Sequence, residues 1–130
     1  MKAVLWALYL PEYPNLSVEI RIGDRYKPDV AAMADSPYEG RKPLFWGEAG
    51  QVGEEKIRAL GKRYRSTYFA VAKWDTPLHL FVKLVSAALD GIERSAPFDL
   101  ISFLPDSAER FIEDDGQIRV TWADVERLRL

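Results

Sequence analysis

Two carboxylates and a lysine are the residues of this chain best suited, by type and spacing, to do chemistry. Asp29 lies in R-Y-K-P-D-V-A-A-M and Glu48 in L-F-W-G-E-A-G-Q, each inside an apolar, strand-like segment. A carboxylate in such a segment is excluded from the interior unless it is paired, hydrogen-bonded or bound to a metal. Eighteen residues separate the two acids, and the helix-like run E-E-K-I-R-A-L-G-K-R-Y follows soon after the second. Two acids on neighbouring strands with a lysine-bearing helix next in the chain suit a divalent metal site. Spacing alone leaves a second role open, in which both carboxylates are hydrogen-bond anchors at strand ends.

These residues need a scaffold. A chain of 130 residues sets one domain, 1–130, with a single sizeable core as the expectation. Its 48% hydrophobic and 29% charged content are those of an ordered globular protein. The absence of cysteine excludes a disulfide framework, a thiolate metal site and a cysteine nucleophile. A net charge of −2 gives no bulk attraction to nucleic acid. The eight-residue apolar run 3–10 is too short to span a bilayer and runs into P-E-Y-P without a small-residue cleavage pattern. No membrane association and a cytoplasmic location are therefore expected.

Periodicity supplies the elements. Residues 2–10 read as a buried helix ended by Pro11. Leu16, Val18, Ile20 and Ile22 alternate with polar residues, predicting a half-buried strand over 16–22. Gly23-Asp24 fits a two-residue hairpin turn, with a returning strand over 25–33 in which Pro28 marks an edge or a bulge. After a Gly/Pro-rich loop over 35–43, a short buried strand covers 44–49. A helix over 54–65 gathers Ile57, Leu60, Gly61 and Tyr64 on one face and Arg58, Lys62 and Arg65 on the other. Lys56 falls at the border between them, where its stem packs and its amine reaches back over the sheet. A doubly covered strand over 67–74 follows, then Thr76-Pro77 as cap and first turn of an apolar helix ending near Gly91. A strand over 98–104 completes a parallel crossover. Asp106 and Glu109 read as a capping box, Ile118, Val120 and Trp122 as a small strand, and Thr121 with Asp124 as the cap of a terminal helix. The sum is a three-layer α/β/α domain with a mixed central sheet of about five strands.

Pro28-Asp29, eighteen residues, then Glu48-Ala49-Gly50-Gln51 resembles the PD-(D/E)XK nuclease superfamily. The run G-E-A-G-Q-V-G-E-E-K-I-R-A-L-G-K-R is similar to its YaeQ-like branch, in which an acid, any residue and Gly-Gln precede a basic helix. The αβββαβ element order read from periodicity is the restriction-endonuclease-like core of that superfamily. The resemblance implies a metal-dependent endonuclease acting on nucleic acid, with DNA the expected substrate. It implies Mg²⁺ or Mn²⁺ held by Asp29, Glu48 and the Ala49 carbonyl, hard oxygen donors for hard cations. The pattern's lysine, two residues after the acid, is replaced here by Gly50, so Lys56 or Gln51 is expected to position phosphate or water. The alternative is an inactive nuclease-fold module that binds nucleic acid or protein. Nucleases that cut both strands often pair two sites, which makes a homodimer an open expectation.

The remaining polar residues carry less. Glu19, on the polar face of its strand, reads as a solvated glutamate with a further acid of the site as its second role. His79, the one histidine, reads as structural, because no ligand cluster accompanies it. Between Arg41 and Arg65, seven basic residues face three acidic ones, either a phosphate-tracking strip or solvated helix charge.

Overall fold

The computed structural model describes residues 2–19, 21–22, 24–34, 42–50, 52–74, 76–103, 120, 122 and 125–130. Helix α1 (Lys2–Tyr9) leads into strands β1 (Ser17–Val18), β2 (Val30–Met33) and β3 (Pro43–Ala49). Helix α2 (Glu54–Arg63), strand β4 (Tyr68–Trp74), helix α3 (Leu78–Ala88) and strands β5 (Phe98–Phe103) and β6 (Glu126–Arg129) follow. All six strands form one sheet in sequence order. β1–β2, β2–β3 and β5–β6 pair antiparallel, and β3–β4–β5 pair parallel through the α2 and α3 crossovers. The αβββαβ order therefore holds within a mixed α/β sheet, which has six strands among the described residues where about five were expected.

The two-residue alternation of the strands sorts side chains onto two cores. Val30, Ala32, Phe45, Tyr68, Ala70, Ala72, Ile101 and Phe103 face α1, which buries Val4, Leu5, Leu8 and Tyr9 against them. Trp46, Phe69, Val71, Phe98 and Leu100 face the other way, under Ile57 and Leu60 of α2 and Phe81, Val85 and Ala88 of α3. The result is helix, sheet, helix in three layers. At Gly47 α1 comes close to the sheet, since a Cβ there would stand 3.0 Å from Leu5 Cδ2 and 3.1 Å from Phe45 Cε1. That contact holds α1 over the middle of β3, one residue from Glu48.

Five expectations are corrected. Strands β1 and β2 do pair antiparallel, but the described ladder is only Ser17 opposite Ala31 and Val18 opposite Val30, shorter than the expected strands 16–22 and 25–33, and Gly23 of the predicted turn lies outside the described residues. Glu19 leaves the strand with φ 57°, in a region that side chains other than glycine seldom adopt. The Asp24 carboxylate accepts the Tyr26 amide at 2.9 Å and is also bonded by Arg63 and Tyr64 of the α2 end. Asp24 thereby ties the segment between β1 and β2 to the end of α2. Next, Thr76 does not cap α3; its hydroxyl donates to the Trp74 carbonyl at 2.9 Å, and Pro77 takes the cap position without a side-chain bond. His79 lies exposed on α3 rather than packed.

The last correction is at the C-terminal end, where 126–129 is an edge strand and not a helix. Its E-R-L-R alternation aligns Arg129 opposite Asp99 and Arg127 opposite Ile101. Asp99 is wholly buried, accepting the Arg129 Nε at 2.9 Å, the Tyr9 hydroxyl at 2.7 Å and the Tyr68 hydroxyl. A strand lets two arginines reach the same side of the sheet at a two-residue spacing, which a helix cannot. Trp122 is not in a strand; it packs edge-on to Tyr9 with ring centroids 5.0 Å apart. The proposed boxes at Asp106–Glu109 and Thr121–Asp124, Ile118, and most of the loop 35–43 lie outside the described residues.

Asp99 joins α1, β4 and β6. Burial, then the Asp99 charge and hydrogen bond, push the Tyr9 hydroxyl far above the usual tyrosine range, so it stays a donor at every working pH. Asp99→Ala leaves two tyrosine hydroxyls and an arginine without their acceptor, and is expected to lower stability by about 3 kcal/mol. Urea denaturation at neutral pH measures it, and a loss under about 1 kcal/mol would show that water replaces the carboxylate freely.

Candidate metal centre at the end of strand β3

Glu48 is the next-to-last residue of β3, on the α2 side of the sheet beside Trp46. Its carboxylate is 6% exposed, and its Oε1 accepts the Trp46 indole N–H at 2.9 Å and the Lys56 ammonium at 2.8 Å. Among the described residues both bonds fall on Oε1, which leaves the lone pairs of Oε2 for another partner. Lys56 lies in the first turn of α2, where the helix brings it back over the strand end. Its ammonium stands 5.3 Å from the centre of the Tyr26 ring, a cation–π distance.

Asp29 sits just ahead of β2 and not within it. Its amide donates to the Gly47 carbonyl at 3.1 Å, although Gly47 is already the register partner of Val30. Two consecutive residues thus address one residue of β3, the arrangement of a β-bulge, which re-aims the side chain of the extra residue. Pro28, with no N–H to place in a ladder, suits the position before it. The bulge turns the carboxylate onto β3, where Oδ2 accepts the Ala49 amide at 2.8 Å. The other oxygen, Oδ1, lies 3.4 Å from the ammonium of Lys2, which is also ion-paired with Glu19. The Glu19 amide donates to the Asp29 carbonyl at 2.8 Å, closing the connection between β1 and β2 at the same place.

Asp29 and Glu48 therefore flank one residue, Ala49, and each carries a lysine. The Glu48 carboxyl is held above the usual glutamate range: burial is the largest influence and raises it, the Lys56 and Trp46 hydrogen bonds pull it down, and the Asp29 charge pushes it up again. The Asp29 charge is the smallest of these influences, and burial outweighs it.

The donor set fits a hard divalent ion. It offers two carboxylates and the Ala49 carbonyl, which in a strand points to the same side as the Ala49 amide that Asp29 binds. Mg²⁺ commonly takes one or two carboxylates and keeps waters for the rest of its octahedron. Among the described residues no group of three or more His, Asp or Glu side chains forms a metal cluster, so any ion here relies on those waters. Gly50 explains the missing lysine of the pattern. Its φ of +104° is closed to ordinary side chains, and its amide donates to the Ala72 carbonyl of β4 at 2.9 Å. Gln51 lies outside the described residues.

Of the sequence-predicted residues, Asp29, Glu48, Ala49 and Lys56 come together. Lys2 was missed. No motif marks it, and only the packing of α1 across the sheet carries it to Asp29. Glu19, read chiefly as solvated, is half-exposed and reaches the site through Lys2.

The fold is that of an open-sheet α/β protein with helices on both faces of the sheet. It is shared with the YaeQ protein from Pseudomonas syringae, whose crystal structure aligns with a TM-score of 0.57 at 16% identity, over 88% of this chain. The chain spans 58% of the length of that protein. The YaeQ protein from Xanthomonas axonopodis pv. citri aligns at a TM-score of 0.49 and 21% identity, over 77% of this chain and 53% of its own. No family model matches the sequence, and no curated protein does. No helix among the described residues is long and apolar enough to cross a membrane.

The raised Glu48 carboxyl has a measurable consequence. A folded-state value above the ordinary 4.5 means that stability from this group is fully present below pH 4.5 and is lost as pH rises through the folded value. Glu48→Gln keeps an acceptor for Trp46 but removes the titration, so the variant gains on the wild type between pH 4.5 and pH 7.5. Urea midpoints at the two pH values test this, and a constant difference between the proteins contradicts it.

Proposed function

We propose that this chain is a metal-dependent phosphodiesterase acting on nucleic acid, a PD-(D/E)XK-type endonuclease. The observation that carries the reading is the placement of Asp29 and Glu48 on either side of Ala49, with the Lys56 ammonium 2.8 Å from the buried acid. Asp29, Glu48 and the Ala49 carbonyl would hold Mg²⁺ or Mn²⁺, and the ion would polarise the scissile phosphate and lower the pKa of an attacking water.

The chain's own groups divide the remaining work. The Ala49 amide fixes the Asp29 carboxylate, so one oxygen is aimed while the other stays available. Lys56 spends one N–H on Glu48 and, braced by the Tyr26 ring, keeps donors for a phosphoryl oxygen beside the acid pair. It thereby supplies, from the next helix, the charge that a glycine at position 50 withholds. Lys2 neutralises Asp29 and Glu19 in the absence of an ion, which limits the repulsion between acids and gives way when a divalent cation takes its place.

A second reading, an inactive nuclease-fold module that binds nucleic acid or protein, is favoured by one observation. The backbone at Gly50 excludes the pattern's lysine, so catalysis rests on a substitute. The two readings part on a nicking assay with plasmid or single-stranded DNA in Mg²⁺ or Mn²⁺. The enzyme reading expects nicking that Asp29→Asn or Glu48→Gln lowers at least a hundredfold, with Lys56→Met costing about 10- to 1,000-fold. It also expects millimolar Mn²⁺ to raise the melting temperature of the wild type and of neither carboxylate variant. Metal-dependent stabilisation without nicking selects the module, and nicking unchanged in Asp29→Asn rejects the assignment of the site.

A further inference from the structure

At the other end of β3 and β4 from the acid pair lies an open cleft of about 460 Å³. Lys42, Lys62, Arg63 and Arg65 line it together with the hydroxyls of Ser66 and Ser95. Lys42, Lys62, Arg65, Ser66 and Ser95 are all exposed. Of the four cations only Arg63 has a carboxylate partner among the described residues, Asp24. The cleft thus concentrates positive charge in a chain whose net charge is −2.

A helix C-terminus normally presents bare carbonyls and a partial negative charge, which would oppose an anion here. This one is covered. Arg94 donates to the Gly61 carbonyl at 2.9 Å, to the Tyr64 carbonyl at 2.8 Å and to the Thr67 carbonyl. Arg65 Nε takes the Lys62 carbonyl at 3.3 Å. Arg94 has no carboxylate partner among the described residues, so its charge adds to the cleft instead of being cancelled. The Thr67 hydroxyl is committed to the Pro43 carbonyl at 2.6 Å, which ties the start of β4 to the start of β3 and closes the floor.

We propose that this cleft binds the phosphate backbone of a nucleic-acid strand, as a contact separate from the Asp29–Glu48 end. The inference rests on nucleic acid as the ligand of the proposed function, but not on cleavage. Helix α2 joins the two ends, with Lys56 in its first turn and Lys62 and Arg63 in its last. Its ten residues rise about 15 Å. At about 3.4 Å per nucleotide along one strand of a duplex, that is the span of four or five phosphates. A strand held in the cleft by its backbone would be kept within reach of the acids without any reading of sequence.

The test is fluorescence anisotropy of a labelled oligothymidylate of about 12 nucleotides, in EDTA, from about 50 to 200 mM salt, which isolates backbone contacts from any metal. The wild type is compared with the triple variant Lys42→Ala, Lys62→Ala, Arg65→Ala and with the double variant lacking the Arg65 change, since the lysines are bonded only through their backbones among the described residues, and alanine keeps those bonds. Circular dichroism confirms that the variants fold. Removing each phosphate contact is expected to reduce the slope of log K against log salt by about 0.7, hence by about 2 in the triple variant. Equal slopes and affinities in wild type and variants overturn the cleft as a strand contact and leave the nucleic-acid reading standing. Absence of wild-type binding at the lowest salt overturns it as well. Pyrophosphate binding that the variants abolish, without oligonucleotide binding, identifies a small-anion site and equally overturns it. Nicking in Mn²⁺ is read separately, so failure of the cleft and failure of the acid pair remain distinct.

Discussion

A carboxylate does the work of a backbone carbonyl at the end of the β2–β3 pairing. Where the ladder bulges at Asp29, the Ala49 amide would face a strand that has turned away, and a half-buried N–H without a partner costs about as much as a lost hydrogen bond. Asp29 Oδ2 supplies that partner at 2.8 Å. The same bond sets the direction of the side chain, so its second oxygen, the buried Glu48 and the Ala49 carbonyl are brought to one end of the sheet. Local backbone chemistry and the geometry of the site are a single constraint.

Two acids brought this close repel one another, and burial raises the penalty. The protein answers with ammonium groups from opposite layers. Lys56 arrives from α2 on one face, and Lys2 from α1 on the other. Both are held by packing well away from the acids: Ile57 and Leu60 seat α2, and the close approach of Leu5 to Gly47 seats α1. The three-layer architecture is what allows a pair of carboxylates in the sheet to be neutralised from above and below. It also brings a cation from the next helix to 2.8 Å from Glu48, with glycine standing two residues after that acid.

The far end of the molecule handles its polar groups by different means. Asp99 is buried among two tyrosines and Arg129, and Arg94 lies over the carbonyls at the end of α2. In the first case a half-exposed arginine pairs with the buried acid and ties the last strand to the sheet. In the second a half-buried arginine donates to neutral carbonyls, two of them on residues that line an open cleft, so its positive charge persists behind that cleft. The same residue type serves cohesion in one place and leaves a field in the other. What separates the two is whether a carboxylate lies within reach.

Regular hydrophobic spacing carried most of the fold. The first helix, β3, α2, β4, α3 and β5 stand within a few residues of where periodicity puts them, because each buries a face whose period is intrinsic to its backbone. Asp29, Glu48 and Lys56 were legible too, as charged residues in or beside apolar segments that need a reason to be there. What sequence could not supply depends on contacts across the chain. Asp24, between the first two strands, binds Arg63 and Tyr64, some forty residues later. The last strand exists because Arg129 finds Asp99, and Lys2 joins the site because α1 lies across β3. Local pattern reports what a segment can bury by itself. Which distant polar group it must satisfy is decided only when the layers pack.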